Sequence, residues 1–393
     1  MKKYLTASPS LIFVILVGFI SMFADITYEG ARSISGPYLA ILGASAITVG
    51  FVAGFGELMG YALRIFSGMI ADKTARYWLI TFVGYLINLL SVPLLALTKS
   101  WQLAAVLLIL ERVGKAIRTP ARDAMLSYAS HQIGRGVGFG LHEFMDKFGA
   151  MSGPLLMAGI LFIENNYRIC FAVLLVPALI ALLTLIFAWR TYPTPQHLEI
   201  ATPDVSIAII PPLFWIYLLG ASLIALGYVD FPLIAYHFKQ INLPAVWIPS
   251  IYALAMGIDA ISALIVGYLY DHHHKKILII AIAITAFSTL LVFKGNIYFI
   301  LSGMMLWGIG LELQSSFMKA LIADMISVKL RGSAYGIFNT VFGISWFLGS
   351  LTLGILYNVS FVWLIAFSLG AQLLAIPFFI FIAVKMGWFD KRK

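Results

Sequence analysis

Asp25 and Glu29 stand four residues apart in an otherwise apolar run, with Arg32 three positions on. On a helix the three share a face. Two carboxylates so placed form a group able to gain and lose a proton near physiological pH, and a nearby cation offers a trigger for release. That is the chemistry of a proton carrier. A second concentration follows at Glu111, Arg112, Lys115, Arg118, Arg122 and Asp123, with Pro120 among them. Its four cations recur every three or four residues and so form one stripe on a helix. Arg118 and Arg122 read as lying toward the helix end.

Charges of both signs run through the first half of the chain. The carboxylates Asp25, Glu29, Glu57, Glu111, Asp123, Glu143 and Asp146 are matched in number by Arg32, Arg64, Arg112, Lys115, Arg118, Arg122 and Lys147. Such a balance predicts an internal network and argues against a purely anion-selecting site. The second half is sparser, with Asp230, Asp259, Glu312 and Lys319 inside apolar runs. Asp230 and Glu312 are candidates to meet a cationic or polar substrate. Tyr28, Tyr228, Tyr236, Trp307, Phe342 and Trp346 are aromatic candidates for its apolar part. Arg32, Glu111, Lys115, Arg118, Glu143 and Asp146 complete the expected binding set.

These charges must be carried by membrane helices. The 393-residue chain is 61% hydrophobic and 11% charged, where a soluble domain carries about 25% charged residues. Its mean hydropathy is +0.96. A span needs about 20 apolar residues, so the chain has material for roughly twelve. The apolar runs place them at 11–35, 44–70, 77–98, 102–128, 137–162, 168–189, 208–236, 246–270, 277–294, 296–322, 333–357 and 360–386. The first run continues into Asp25–Arg32 with no small-residue cleavage site, so it reads as a retained helix. The segment 191–207 is polar and proline-bearing. It reads as a cytoplasmic linker between six-helix bundles at 1–190 and 208–393.

Several functions are excluded or disfavoured. A single cysteine, Cys170, allows no intrachain disulfide. No Gly-x-x-x-x-Gly-Lys-[Ser/Thr] loop is present, so nucleotide drive is not expected. No nucleophile–base constellation points to an enzyme. His272, His273 and His274 sit beside two lysines with no cysteine nearby and read as a solvated loop, with no metal or other cofactor expected. The net charge of +9 reflects topology, and no nucleic-acid partner is expected. Lys and Arg concentrate at one set of ends, including Lys73, Arg76, Arg135, Arg190, Lys275, Lys276 and Lys385. By the positive-inside rule this predicts both termini in the cytoplasm and the chain in the cytoplasmic membrane.

Two charged turns repeat. Gly68, Asp72, Lys73 and Arg76 lie between two apolar runs, and Gly267, Asp271, Lys275 and Lys276 occupy the matching place 199 residues on. Twelve spans in two halves, each with this turn between its second and third, resemble the major facilitator superfamily over essentially the whole chain. The family turn reads Gly-x-x-x-Asp-Arg-x-Gly-Arg-Arg, and Ala75 here replaces its second glycine. The resemblance implies a latch that holds the outward-facing state, with Asp123 the expected partner of Lys73 or Arg76 and Asp324 its counterpart in the second half. Gly140, Gly149, Gly153 and Pro154 resemble the fifth-helix pattern of proton-driven antiporters, Gly-x8-Gly-x3-Gly-Pro-x2-Gly-Gly, although Met157 and Ala158 replace the closing glycines. An arginine in the fourth helix of proton-linked exporters has a role in proton transfer, and Arg112 is its positional counterpart.

The expected fold is therefore an all-α polytopic membrane protein of twelve helices in two pseudo-symmetric six-helix bundles. The expected function is proton-coupled efflux of a small molecule by alternating access, driven by the proton gradient, with Asp25, Glu29 and Arg112 coupling the proton. A monomer is expected. One rival is a proton symporter importing a small, anionic metabolite. Another is a transporter-like membrane sensor or scaffold that binds a ligand without moving it.

Overall fold

The computed structural model describes residues 9–194, 210–271, 275–327 and 330–388. Among these residues the chain is helical and contains no strand. The helices are α1 (Pro9–Ile41), α2 (Ala46–Thr74), α3 (Tyr77–Leu94), α4 (Trp101–Ile133), α5 (Arg135–Glu164), α6 (Tyr167–Val173) and α7 (Leu175–Thr191). After the linker come α8 (Pro212–Gly227), α9 (Phe231–Gln240), α10 (Trp247–Asp271), α11 (Lys275–Thr285), α12 (Ser288–Val292), α13 (Ile297–Glu312), α14 (Met318–Met325), α15 (Arg331–Val359) and α16 (Phe361–Lys385). A π turn, Leu313–Phe317, joins α13 to α14.

Ten helical segments among the described residues are long and apolar enough to cross a membrane. Of the twelve expected spans, α4 and the α11–α12 pair are outside that set. The first carries the cationic stripe, and the second is interrupted after Thr285. Three further spans are broken as well, giving α6–α7, α8–α9 and α13–α14. The fold is an all-α polytopic membrane fold consistent with twelve crossings.

Some helices overrun their expected ends. The first was expected to stop at Ser35, before Gly36-Pro37, yet α1 continues to Ile41 with Pro37 inside it. Tertiary packing outweighs the local breakers here. A Cβ built on Gly36 would come 2.0 Å from the Pro232 carbonyl oxygen, so only a glycine admits this backbone contact. Likewise α4 runs to Ile133 through Pro120.

The chain forms two compact units, one of residues 1–34 with 62–203 and the other of residues 35–61 with 204–393. Both α1 and α2 therefore contribute to both. In the first unit α3 and α4 approach to backbone contact: a Cβ on Gly84 would lie 2.5 Å from Arg118 N, and one on Gly114 would lie 2.3 Å from Asn88 N. In the second, Gly50 packs on the Ser350 carbonyl and Gly349 on the Leu226 carbonyl. Small residues at such crossings let membrane helices gain close van der Waals contact.

Candidate functional site

The polar cluster of the first unit is assembled by close helix packing. A Cβ on Gly149 would lie 2.3 Å from the Met22 carbonyl oxygen and 2.9 Å from Asp25 Cβ, and one on Gly153 would lie 2.5 Å from the Ile26 carbonyl oxygen. Thus α5 lays its backbone directly on the turn of α1 that carries Asp25. The α3–α4 contact at Gly84 holds Arg118 where its side chain is wholly buried.

A hydrogen-bonded chain then crosses four helices. Arg118 Nη1 donates to Tyr85 OH (3.0 Å), and Tyr85 OH lies 3.2 Å from Ser21 Oγ. Ser21 Oγ also accepts from Arg122 Nη1 (3.0 Å) and meets His142 Nε2 (3.0 Å). His142 Nδ1 is 3.5 Å from Asp146 Oδ2. Tyr28 sits under two cations, with Lys115 Nζ 4.0 Å and Arg118 Cζ 5.8 Å from its ring centre. Asp25 is buried beside Tyr28, Lys115, Arg118 and Glu29.

A charge at mid-membrane costs about 2.5–3.5 kcal/mol even on insertion scales, so each needs a partner or a purpose. Most have partners. Arg122 bridges Asp123 at 2.8 Å, Arg112 bridges Glu111 at 3.2 Å, Glu111 accepts from Asn88 at 2.8 Å, and Arg32 lies 4.0 Å from Glu29. Asp25 Oδ1, Asp146 Oδ1, Arg118 Nε and Arg118 Nη2 are among the buried side-chain atoms with no hydrogen-bond partner in the described residues.

The second unit builds an aromatic cluster around a broken helix. Pro232, the second residue of α9, cannot continue α8, and the chain runs extended through Tyr228 and Asp230. In the membrane interior the freed backbone groups need partners. The Gly227 carbonyl accepts from Ser368 Oγ (2.6 Å) and Gln372 Nε2 (3.1 Å), and the Val229 carbonyl from Trp307 Nε1 (2.9 Å). Asp230 caps α9, with Oδ1 2.8 Å from Phe231 N, while Oδ2 takes Trp346 Nε1 at 3.3 Å. Tyr228 stacks on Trp307 at 5.4 Å and tilts against Trp346 at 5.5 Å.

Other expected site residues are placed as follows. Glu143 is largely exposed and pairs with Lys147 at 3.9 Å. Glu312 is fully buried at the start of the π turn, a feature that often marks function. Arg112 bonds its neighbour Glu111, and Lys115 and Arg118 are the cations beside Asp25. Gly68 faces Pro120 of α4, while the space beside Gly140 and Gly267 is open. Asp123 is held by Arg122. Asp72 lies 3.5 Å from Tyr77 OH, and Asp324 accepts from Tyr270 OH. The side chains of Asp271 and Lys275 and the whole of His272–His274 lie outside the described residues. Sequence reasoning missed Ser21, Tyr85 and His142. Only His142 carried a signal, four residues before Asp146.

The comparisons agree with this architecture. The family model "Major Facilitator Superfamily" matches residues 14–274 and 229–387. An uncharacterized protein of Mycobacterium tuberculosis is 37% identical over 372 residues, 93% of this chain and 91% of its own. An uncharacterized MFS-type transporter of Methanocaldococcus jannaschii is 30% identical over 362 residues, 88% and 89% of the two chains. Among solved structures, a bacterial homologue of the human lysosomal transporter Spinster superposes with a TM-score of 0.71 at 13% identity, covering 96% of both chains. A peptide transporter superposes with a TM-score of 0.73, also at 13% identity, over 94% of each chain. At that identity these two structures bear on the fold alone. A twelve-helix fold with charges buried in its first unit, matched by this family model from end to end, is that of a multi-pass membrane transporter and not an enzyme, and the chain belongs to the major facilitator superfamily.

Proposed function

We propose that this transporter exports a small molecule in exchange for protons, with Asp25 as the proton-carrying group. The observation that carries the reading is the setting of Asp25. It is buried, one carboxylate oxygen has no hydrogen-bond partner among the described residues, and Lys115, Arg118 and Glu29 surround it. Protonation would weaken its attraction to the cations of α4. Because Gly149 presses α5 on the same turn, that change would reach the α1–α5 contact directly. Glu29, 4.0 Å from Arg32, is a second titratable carboxylate one turn away. Arg112 would act through Glu111.

Arg118 favours a second reading, proton-coupled import of an anion. Its Nε and Nη2 form an unbonded edge suited to a carboxylate or phosphate. Protonating Asp25 would leave a cation uncompensated beside that edge, so proton and anion would bind together.

The deciding test uses proteoliposomes with an internal pH dye and an imposed proton gradient. Compounds are added singly to wild type and to Asp25→Asn. Compound-triggered proton movement in wild type that vanishes in the variant supports coupling at Asp25. Its sign separates exchange from co-transport. Equal proton movement in both proteins removes Asp25 from the mechanism. Binding without flux of compound or proton would favour a membrane sensor.

A further inference from the structure

The outer surface of the first unit carries a feature that lies apart from the buried polar cluster. Two adjoining clefts, about 310 and 410 Å³, open where α3 begins and α7 ends, and they share Trp189 and Pro193. Trp78 and Trp189 lie nearly parallel, their ring centres 6.3 Å apart with 10° between the planes. Trp78 Nε1 donates to the Tyr192 carbonyl at 2.8 Å, which fixes the chain as it leaves α7. Arg76 lines the first cleft and Arg190 the second. Both are exposed, and neither has a carboxylate partner among the described residues. In this they differ from Arg32, Arg112 and Arg122, which all lie beside carboxylates.

Below the arginines the surface turns apolar. Leu79, Val83 and Leu86 recur at helical spacing on α3 and are exposed, as are Leu183 and Phe187 on α7. The cleft thus has a cationic head at the end of two spans, a layer of tryptophan, and an exposed apolar wall. Tryptophan concentrates at the membrane–water interface, and basic clefts between membrane helices bind anionic headgroups. A guanidinium pair suits a phosphate diester, whose oxygens accept several hydrogen bonds at once.

We propose that the α3–α7 cleft binds one anionic phospholipid, its phosphate between Arg76 and Arg190 and an acyl chain along α3 and α7. A soluble phosphate compound would have no use for the apolar wall, and a zwitterionic lipid would bring a cation to a site that already holds two. A bound lipid would brace the α2–α3 turn, because Arg76 belongs to that turn. This proposal does not depend on the transported substrate or on the coupling reaction.

Native mass spectrometry of the full-length protein, titrated with phosphatidylglycerol and with phosphatidylcholine, tests it. At least about tenfold tighter binding of phosphatidylglycerol is expected for one site per chain. In Arg76→Gln/Arg190→Gln the two lipids should bind within about twofold of each other. The control Lys276→Gln/Lys385→Gln removes equal charge from other exposed positions and should keep the preference. Loss of preference in both variants would mean a bulk charge effect and overturn the proposal, as would its survival in the arginine variant. Displacement of the lipid by about 10 mM inorganic phosphate would assign the site to a free anion instead. If the arginine variant does not fold, a photo-crosslinking phosphatidylglycerol on wild type decides: labelled peptides covering 76–86 and 183–193 support the site, and labelling elsewhere overturns it.

Discussion

Gly149 of α5 sits on Asp25 of α1 so closely that an added methyl group would lie 2.9 Å from Asp25 Cβ. The helix contact and the buried carboxylate are one feature. Gly149→Ala should therefore push the helices apart, lower the melting temperature by several degrees and reduce transport at least about tenfold, overpacking costing roughly 1–3 kcal/mol. Gly140→Ala, with open space beside it, should match wild type in both assays. Thermal melts in detergent and uptake in vesicles of the same preparations check the pair.

Asp25→Asn should separate exchange from drive. Counterflow of labelled substrate at equal pH needs no net proton movement and is expected to persist. Accumulation against a gradient should be lost, and the dependence of its rate on external pH should flatten. Lost counterflow in a well-folded variant would instead make Asp25 a substrate ligand.

Tyr85→Phe removes the oxygen that accepts from Arg118 Nη1 and leaves a fully buried guanidinium with no hydrogen bond among the described residues. Leaving a buried charged donor unsatisfied costs about 1–3 kcal/mol or more. The variant should melt lower than wild type, and Tyr85→Phe with Arg118→Met should recover part of the loss. A double-mutant cycle on melting temperatures measures this coupling.

Asp230 fills two posts, as the cap of α9 and as acceptor for Trp346 Nε1. Asp230→Asn keeps an acceptor for the Phe231 N–H but sets an NH2 donor against Trp346 Nε1, so it should keep the cap and lose the tryptophan bond. Asp230→Ala should lose about 1–2 kcal/mol through the cap alone. If Asp230→Asn abolishes transport while melting normally, the charge itself meets substrate.

Ala75 stands at φ +52° in the α2–α3 turn, where the family pattern has glycine. The turn thus holds an alanine in the left-handed conformation that glycine adopts without a Cβ clash. Such a conformation costs a residue with a Cβ about 1–2 kcal/mol. Ala75→Gly should raise the melting temperature by a few degrees, with no loss of transport.

The membrane fold was legible because burying apolar runs in lipid leaves few alternatives to helices. The glycine spacing of α5 pointed to a close helix contact, and Gly149 and Gly153 make one. Spacing along one helix tells which side chains share a face, but not which helix they will meet. The family resemblance points to Arg112 on α4, whereas Lys115 and Arg118 are the cations of that helix beside Asp25, and Asp123 is held by its own neighbour Arg122. Ser21 and Tyr85 bear no charge, and nothing in their surroundings marks them. Their importance arises only when α1, α3, α4 and α5 come together. The break between α8 and α9 is written in Pro232, yet Trp307, Ser368 and Gln372 lie 78–145 residues from the carbonyls they hold.

That break has a mechanical meaning. Its carbonyls are held by side chains of α13 and α16, and the cap of α9 is held from α15. A straight helix resists bending through its own ladder of bonds. This one is stiffened from outside, by three neighbours. The angle between α8 and α9 can change only as far as those side chains follow it. Any bending between α8 and α9 would have to carry along a serine, a glutamine and two tryptophans, whose reach would set its range.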